Sequence, residues 1–254
     1  MFAAYNMLIL MYSKCGKLGM SHEVFDQMVA KDPVSWNSLT KGYASRKNFN
    51  GGMQLFKSMK ESDDKPISVT ITALISVCSQ LLDSSQGQGL HCDVIKRGLE
   101  SNLFVSNALL GMYSKCDLLD DALKGFEKME ICDAVSWTSI ISGCVQNGNY
   151  KLGFKLLAEM KIKVVKLDVA TMPSVLPACS FLAAKRHGKE IHACILRLGL
   201  EHNIPIGNAL IEMYSKCGIF DYAIYILGSM QGKDVVTWTA WYQSMVCMAK
   251  VRRP

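Results

Sequence analysis

Asn107-Ala-Leu-Leu-Gly-Met-Tyr-Ser-Lys-Cys116 decides how this chain folds, because the chain contains the block three times. The other copies are Asn6-Met-Leu-Ile-Leu-Met-Tyr-Ser-Lys-Cys15 and Asn208-Ala-Leu-Ile-Glu-Met-Tyr-Ser-Lys-Cys217, each 101 residues from the next. Ten residues recurring at one fixed spacing mark an array of repeats. Within the block, Leu109, Met112, Tyr113 and Cys116 fall at i, i+3, i+4 and i+7, an apolar stripe along one helix face. The first copy supplies Leu8, Met11, Tyr12 and Cys15 at the same places. The stripe is therefore expected to face a core in every copy.

The long period subdivides. Trp36, Trp137 and Trp238 obey it, each closing an Asp-x-Val-(Ser/Thr)-Trp run that begins at Asp32, Asp133 or Asp234. Polar and helix-breaking residues divide each period into units of 35, 35 and 31 residues, a length range that suits two helices. The units are 2–32, 33–67, 68–102, 103–133, 134–168, 169–203 and 204–234, with a partial unit at 235–254. Second helices carry their own stripes: Val24, Phe25 and Met28; Ala122, Leu123, Phe126 and Met129; Leu152, Leu156, Leu157 and Met160. Gly16 and Gly218 suit the left-handed turn that ends a first helix, with Asp117 and Asn147-Gly148-Asn149 as alternatives. Units 68–102 and 169–203 form a second family, aligning Cys78 with Cys179, Gly87 with Gly188, His91 with His192, and Gly98-Leu99 with Gly199-Leu200. The short β-rich runs, such as Val34-Ser35-Trp36, fall where the repeat register requires helix starts.

A two-helix unit cannot bury its stripe alone, so stacking is obligatory. The expected architecture is all-α: one right-handed superhelical α-solenoid over residues 2–254. The partial unit ends with a first helix from Thr237 to about Cys247, with no second helix to cover Trp238, Trp241 and Met245. The chain is accordingly expected to be a fragment.

Composition fits a soluble array. Half of the 254 residues are hydrophobic, the formal charge is +6, and no apolar run is long enough to span a membrane. A mildly basic surface is compatible with a polyanionic partner and also with ordinary solubility. There is no secretory or transit signal at the start. Several of the ten cysteines follow the repeat and none forms a Cys-x-x-Cys, which makes them packed small hydrophobes in a reducing compartment. His91 and His192 lack partners at metal-ligand spacing and read as packed or capping side chains. No nucleophile–base pair, phosphate loop or Gly-x-Ser-x-Gly is present, so neither catalysis, a cofactor nor a small-molecule substrate is expected.

Three motifs then carry a resemblance: Asn-Ala-Leu-x-x-Met-Tyr-Ser-Lys-Cys-Gly, Asp-Val-Val-(Ser/Thr)-Trp, and Ile191-His-Ala-Cys-Ile-Leu-Arg-Leu-Gly199. Over residues 2–249 the chain resembles the plant pentatricopeptide repeat family, in its subclass of alternating P, L and S units. The resemblance implies sequence-selective binding of single-stranded RNA in mitochondria or chloroplasts, one base per unit. It implies service as an adaptor in cytidine-to-uridine editing, splicing or processing, with other editing or processing factors as further partners. A family member that edits would add a C-terminal deaminase-like domain, whose His-x-Glu and Cys-x-x-Cys do not occur here.

By resemblance, a residue early in the first helix and the last residue of the unit together read the base. Asn6 with Asp32, Asn107 with Asp133, and Asn208 with Asp234 should then prefer uridine, and Thr138 with Asp168 guanosine. Asn37 pairs with Ile67, giving a loose pyrimidine preference, and Thr72 with Asn102 implies adenosine. Pro173 with Asn203 departs from the pattern, and Thr239 has no partner. The implied site is U-Y-(A)-U-G-N-U-(A or G). Val34, Val69, Phe104, Val135 and Val236 would sandwich the bases, with Ala3, Ala170 and Pro205 at equivalent positions. The chemistry is sound, because Asn offers a donor and an acceptor, Thr a hydroxyl, and Asp an acceptor. A simpler role for these residues is local, Asn capping a helix start and Asp forming a turn. A different function for the same architecture is a protein-interaction scaffold that holds a peptide in its groove.

Overall fold

The computed structural model describes residues 2–61, 68–163, 165, 171–182 and 184–251. Among these residues all regular structure is helical. The helices are α1 (Phe2–Lys14), α2 (Leu18–Asp26), α3 (Pro33–Ser45), α4 (Phe49–Glu61), α5 (Ser68–Leu81), α6 (Ser84–Lys96), α7 (Leu103–Lys115) and α8 (Leu119–Lys128), then α9 (Ala134–Gln146), α10 (Tyr150–Ile162), α11 (Thr171–Phe181), α12 (Lys185–Arg197), α13 (Ile204–Lys216), α14 (Phe220–Ser229) and α15 (Val235–Val251). They form two compact units, Met1–Cys132 and Asp133–Pro254.

Each unit is built the same way. In the first, α1, α3, α5 and α7 pack side by side as one layer. Each even-numbered helix packs on its own hairpin partner, and α2, α4 and α6 also touch the odd helix that follows. In the second, α9, α11, α13 and α15 form the layer, and α10, α12 and α14 play the bridging part. Every helix except α8 thus packs partly against a neighbouring hairpin, as stacking requires.

The core follows the sequence stripes. Ile9, Phe25, Met28, Trp36, Leu39, Leu55 and Met59 make one cluster, with the Phe25 and Trp36 rings edge to face at 4.7 Å. Full burial of each such side chain contributes about 1.5–3 kcal/mol. Buried thiols join the same packing. Burial pushes Cys78 and Cys179 up to about 12 and Cys144 up to about 11, so these are thiols and not thiolates at neutral pH.

Turn chemistry sets the hairpins. Gly16, Gly148 and Gly218 hold positive φ at first-helix ends, and Asp117 does so at φ 59°. Lys47 and Leu82 occupy the same place at 56° and 57°, where the sequence gives no glycine cue. A left-handed L-residue costs roughly 1–2 kcal/mol, which the packing on either side of the turn must offset. Gly98 and Gly199 make the matching turns out of α6 and α12.

The histidines have a more specific role than packing. His91 Nδ1 meets the Tyr113 hydroxyl at 2.7 Å and His192 Nδ1 meets that of Tyr214 at 2.8 Å. His22 and Tyr43 repeat the contact at 3.0 Å. Each bond joins an even helix to the odd helix after it. Burial lowers the His91 and His192 pKa values and pushes both tyrosines up to about 12, so all four stay neutral near pH 7.

One expectation fails. In α13 the stripe is buried throughout and in α7 all of it but the half-buried Cys116, with Met112 and Met213 fully enclosed. In α1 the same positions are exposed: Leu8 at 41% and Met11 at 45%, with Cys15 on the surface. That face packs on the preceding hairpin elsewhere in the array, and no helix of this chain precedes α1.

Candidate functional site

The last residue of a unit is also the first cap of the next. Asp32 lies in extended backbone before α3, and its Oδ1 accepts the Ser35 amide at 2.7 Å. Asp133 accepts from the Ser136 amide at 2.8 Å, and Asp234 from the Thr237 amide at 2.7 Å. Asn102 and Asn203 cap α7 and α13 through Val105 and Ile206, each at 3.2 Å. The local turn-and-cap role is therefore real for these five residues. Asn6, Asn107 and Asn208 are different. They lie within α1, α7 and α13, beyond the first turn, and cap nothing.

Asn6 and Asn208 each reach a carboxylate. Asn6 Nδ2 donates to Asp32 Oδ1 and Oδ2 at 3.3 and 3.2 Å, and Asn208 Nδ2 donates to Asp234 Oδ1 at 3.2 Å. The amide oxygens of both, Asn6 Oδ1 and Asn208 Oδ1, are shielded from solvent and have no partner. A buried unpaired carbonyl costs about 1–3 kcal/mol, so its recurrence at equivalent positions calls for a reason. Asn208 is only 7% exposed, more enclosed than a residue awaiting a ligand was expected to be.

The carboxylates remain ionised. Burial raises the Asp32 pKa, but bonds from the Ser35 amide, Asn6 and the Ser35 hydroxyl together outweigh it and lower it below the ordinary value. Asp234 is lowered chiefly by the Thr237 amide and hydroxyl, with a smaller contribution from Asn208.

In each compact unit, exposed apolar side chains lie one helical turn before these polar positions. Val34, Val69, Phe104, Val135 and Val236 are 55%, 38%, 76%, 53% and 59% exposed. Each precedes Asn37, Thr72, Asn107, Thr138 or Thr239 by three residues on its helix, which places the pair on one face. Apolar exposure at one register position of every such helix is not explained by packing.

The other candidates are placed less simply. Asn37 is half-buried, and its Oδ1 takes a 2.5 Å bond from Thr70. The Thr72 and Thr239 hydroxyls turn back onto the Ser68 and Val235 carbonyls at 2.7 and 2.8 Å. Asn107 and Asp133 belong to different compact units, and each is half-buried within its own. Thr138 is half-buried on α9. Asp168, Ile67 and Ala170 lie outside the described residues. The Thr70 contact was missed in the sequence, although a hydroxyl three residues after a unit boundary recurs there. Among the described residues no cluster of three or more His, Cys, Asp or Glu could hold a metal ion, and no helix is long and apolar enough to cross a membrane.

Comparison with known proteins places the arrangement. The family profile described as PPR repeat matches residues 3–32, 34–63, 104–133 and 208–235, and that of the PPR repeat family matches residues 133–180. A pentatricopeptide repeat-containing protein of Arabidopsis thaliana is 45% identical over 234 residues, 92% of this chain and 26% of the relative. Two more from the same plant, named as mitochondrial and chloroplastic, are each 37% identical and cover 92% and 94% of this chain. Those matches span 23% and 25% of the relatives, so the chain is about a quarter as long as the curated proteins it matches. Among solved structures, the maize pentatricopeptide repeat protein PPR10 aligns with TM-score 0.66 at 20% identity, covering 98% of this chain and 39% of that one. PPR10 in complex with an 18-nt RNA element aligns with TM-score 0.74 at 16% identity, covering 98% and 37%.

Proposed function

The chain belongs to the pentatricopeptide repeat family, and from that premise we propose that it is a sequence-selective single-stranded RNA-binding adaptor of organellar RNA metabolism. One observation carries the reading. Asn6 and Asn208, 202 residues apart, each hold a carboxylate with the amide nitrogen and leave the amide oxygen unpaired. A base edge resolves that imbalance. Held by its bond to the carboxylate, the amide has its oxygen and a second N–H to offer one nucleotide, and uracil supplies the complement. The exposed apolar residue one turn earlier offers a platform for the base face. The charge of +6 supplies general attraction to a polyanion. Relatives named for the mitochondrion and the chloroplast support an organellar setting, and the absence of catalytic motifs supports an adaptor. The alternating subclass, and service in editing, splicing or processing, are part of the same proposal.

The test is direct binding. A short RNA carrying U-Y-A-U-G-N-U should bind with an affinity that falls as salt rises. Replacing Asn107→Thr together with Asp133→Asn should move the preference at one nucleotide from uridine to adenosine, leaving its neighbours unchanged. An unchanged preference there removes the one-base-per-unit assignment.

A protein-binding scaffold is the competing function, and α14 favours it. Tyr222, Ile224 and Tyr225 are 45%, 48% and 70% exposed, whereas α8 carries Asp121 and Lys124 in place of the tyrosines. Failure to bind any RNA while a protein partner copurifies would decide for the scaffold.

A further inference from the structure

The Ser or Thr that lies three residues beyond a unit's terminal Asp is bonded to that Asp wherever the structure describes it. Ser35 donates its amide to Asp32 Oδ1 at 2.7 Å, and its hydroxyl accepts the Asp32 amide at 3.0 Å and donates to the Asp32 carbonyl at 2.8 Å. Ser136 gives Asp133 Oδ1 both its amide at 2.8 Å and its hydroxyl at 2.9 Å. Thr237 does the same for Asp234 Oδ1, at 2.7 and 2.8 Å. All three side chains are fully buried. They cannot meet a ligand themselves.

The sequence couples the two positions. Asp32, Asp133, Asp168 and Asp234 are followed three residues on by Ser35, Ser136, Thr171 and Thr237. Asn102 and Asn203 are followed by Val105 and Ile206, also fully buried. The pairing has a chemical reason. A carboxylate is acceptor-only and has room for a second donor, while Asn brings its own donors and needs only the amide. Where the unit ends in Ile67, Thr70 turns its hydroxyl onto Asn37 instead.

We infer that Ser136 and Thr237 are positioning residues that set base preference by fixing the preceding carboxylate. In Asp234, two donors from Thr237 and one from Asn208 converge on Oδ1 and leave Oδ2 to solvent. The carboxylate then has one orientation, and the asparagine beside it inherits one. A carboxylate free to turn away would release the amide, which could then present donor or acceptor to the nucleotide and blur uridine against cytidine. The inference rests on the RNA-binding function proposed above.

The experiment uses the whole chain and RNA oligonucleotides that differ only in the nucleotide facing unit 204–234. Thr237→Val removes the hydroxyl and keeps the shape and the capping amide. Its ratio of uridine to cytidine affinity at that nucleotide should fall about fivefold, the equivalent of one hydrogen bond. Thr237→Ser should retain the ratio. Ser136→Ala should lower the ratio only at the nucleotide facing unit 103–133, whereas a purely structural role would weaken all sequences alike. A carbon-13 titration of Asp234 reads the carboxylate without RNA, and its pKa should rise in Thr237→Val. Preference unchanged in Thr237→Val overturns the inference alone, as does an unchanged Asp234 titration. Absence of any base preference in the unsubstituted protein overturns the RNA-binding function, and the inference with it.

Discussion

Units 2–32 and 204–234 contain nearly the same block of sequence and are used differently. In the later unit Leu210, Met213, Tyr214 and Cys217 are all buried, at 3% exposure or less. In the earlier one Leu8 and Met11 are about half exposed and Cys15 is on the surface. The Asn–Asp bond is nonetheless present in both. The difference separates two dependencies. The stripe needs the hairpin before it, α12 in the case of α13. The Asn–Asp pair needs only the helix after it, since the aspartate caps that helix. A unit can therefore keep its polar pair while half of its apolar face is uncovered.

The largest effect should come from the stripe itself. Met213→Ala should destabilise the chain by about 2–5 kcal/mol, because the side chain is fully enclosed and α12 closes on it; a Cβ built at Gly188 would fall 2.5 Å from Met213 Sδ. Met11→Ala, at the equivalent position, should stay within about 0.5 kcal/mol. Urea unfolding of both variants measures the contrast, and equal losses would break it. A smaller difference should separate the tyrosines. Tyr214→Phe removes the bond to His192 and should cost about 1 kcal/mol, while Tyr12→Phe, with no preceding histidine, should cost nothing measurable.

The smallest contrast is in pH. Burial holds the His192 pKa below the 6.5 of a free imidazole, so the unfolded chain takes up that proton first. Its contribution to stability is complete above about pH 6.5 and is lost as pH falls through the lowered value. Denaturation midpoints should decline from pH 7 to 5, and less steeply in His192→Gln. Asp32 and Asp234 have lowered values, so their contribution is present above 3.8 and disappears only on further acidification, in both units alike.

Much of this was available from the residues. The 101-residue register placed the hairpins, because stripes at helical spacing and glycine turns are local signals. The register also misled. It carried the buried stripe onto Leu8, Met11 and Cys15, since periodicity describes a unit and burial depends on its neighbour. Local chemistry did not reveal Lys47 and Leu82 as left-handed turn residues, because stacking on both sides fixes a backbone that their side chains disfavour. The histidine–tyrosine bonds were within reach: His91 precedes Tyr113 by 22 residues, as His192 precedes Tyr214. What the spacing could not give is which nitrogen points where, a matter of how two hairpins close. For the candidate site, the repeat gave the residue types and put each polar residue on one helix face with the apolar residue a turn before it. The shielding of Asn208 did not follow, because burial depends on the helices packed around α13 and not on its own sequence.

The five described unit-terminal residues, Asp32, Asn102, Asp133, Asn203 and Asp234, each begin the next helix with a side-chain bond to its backbone. If these residues read RNA as proposed, substitution there alters recognition and helix initiation together. Few side chains perform the second task well: Asp, Asn, Ser and Thr. The alphabet from which this position can spell is thus narrowed by the peptide backbone before any ligand is considered. A redesigned array that wrote a long aliphatic or cationic letter there would have to rebuild the start of the following helix as well.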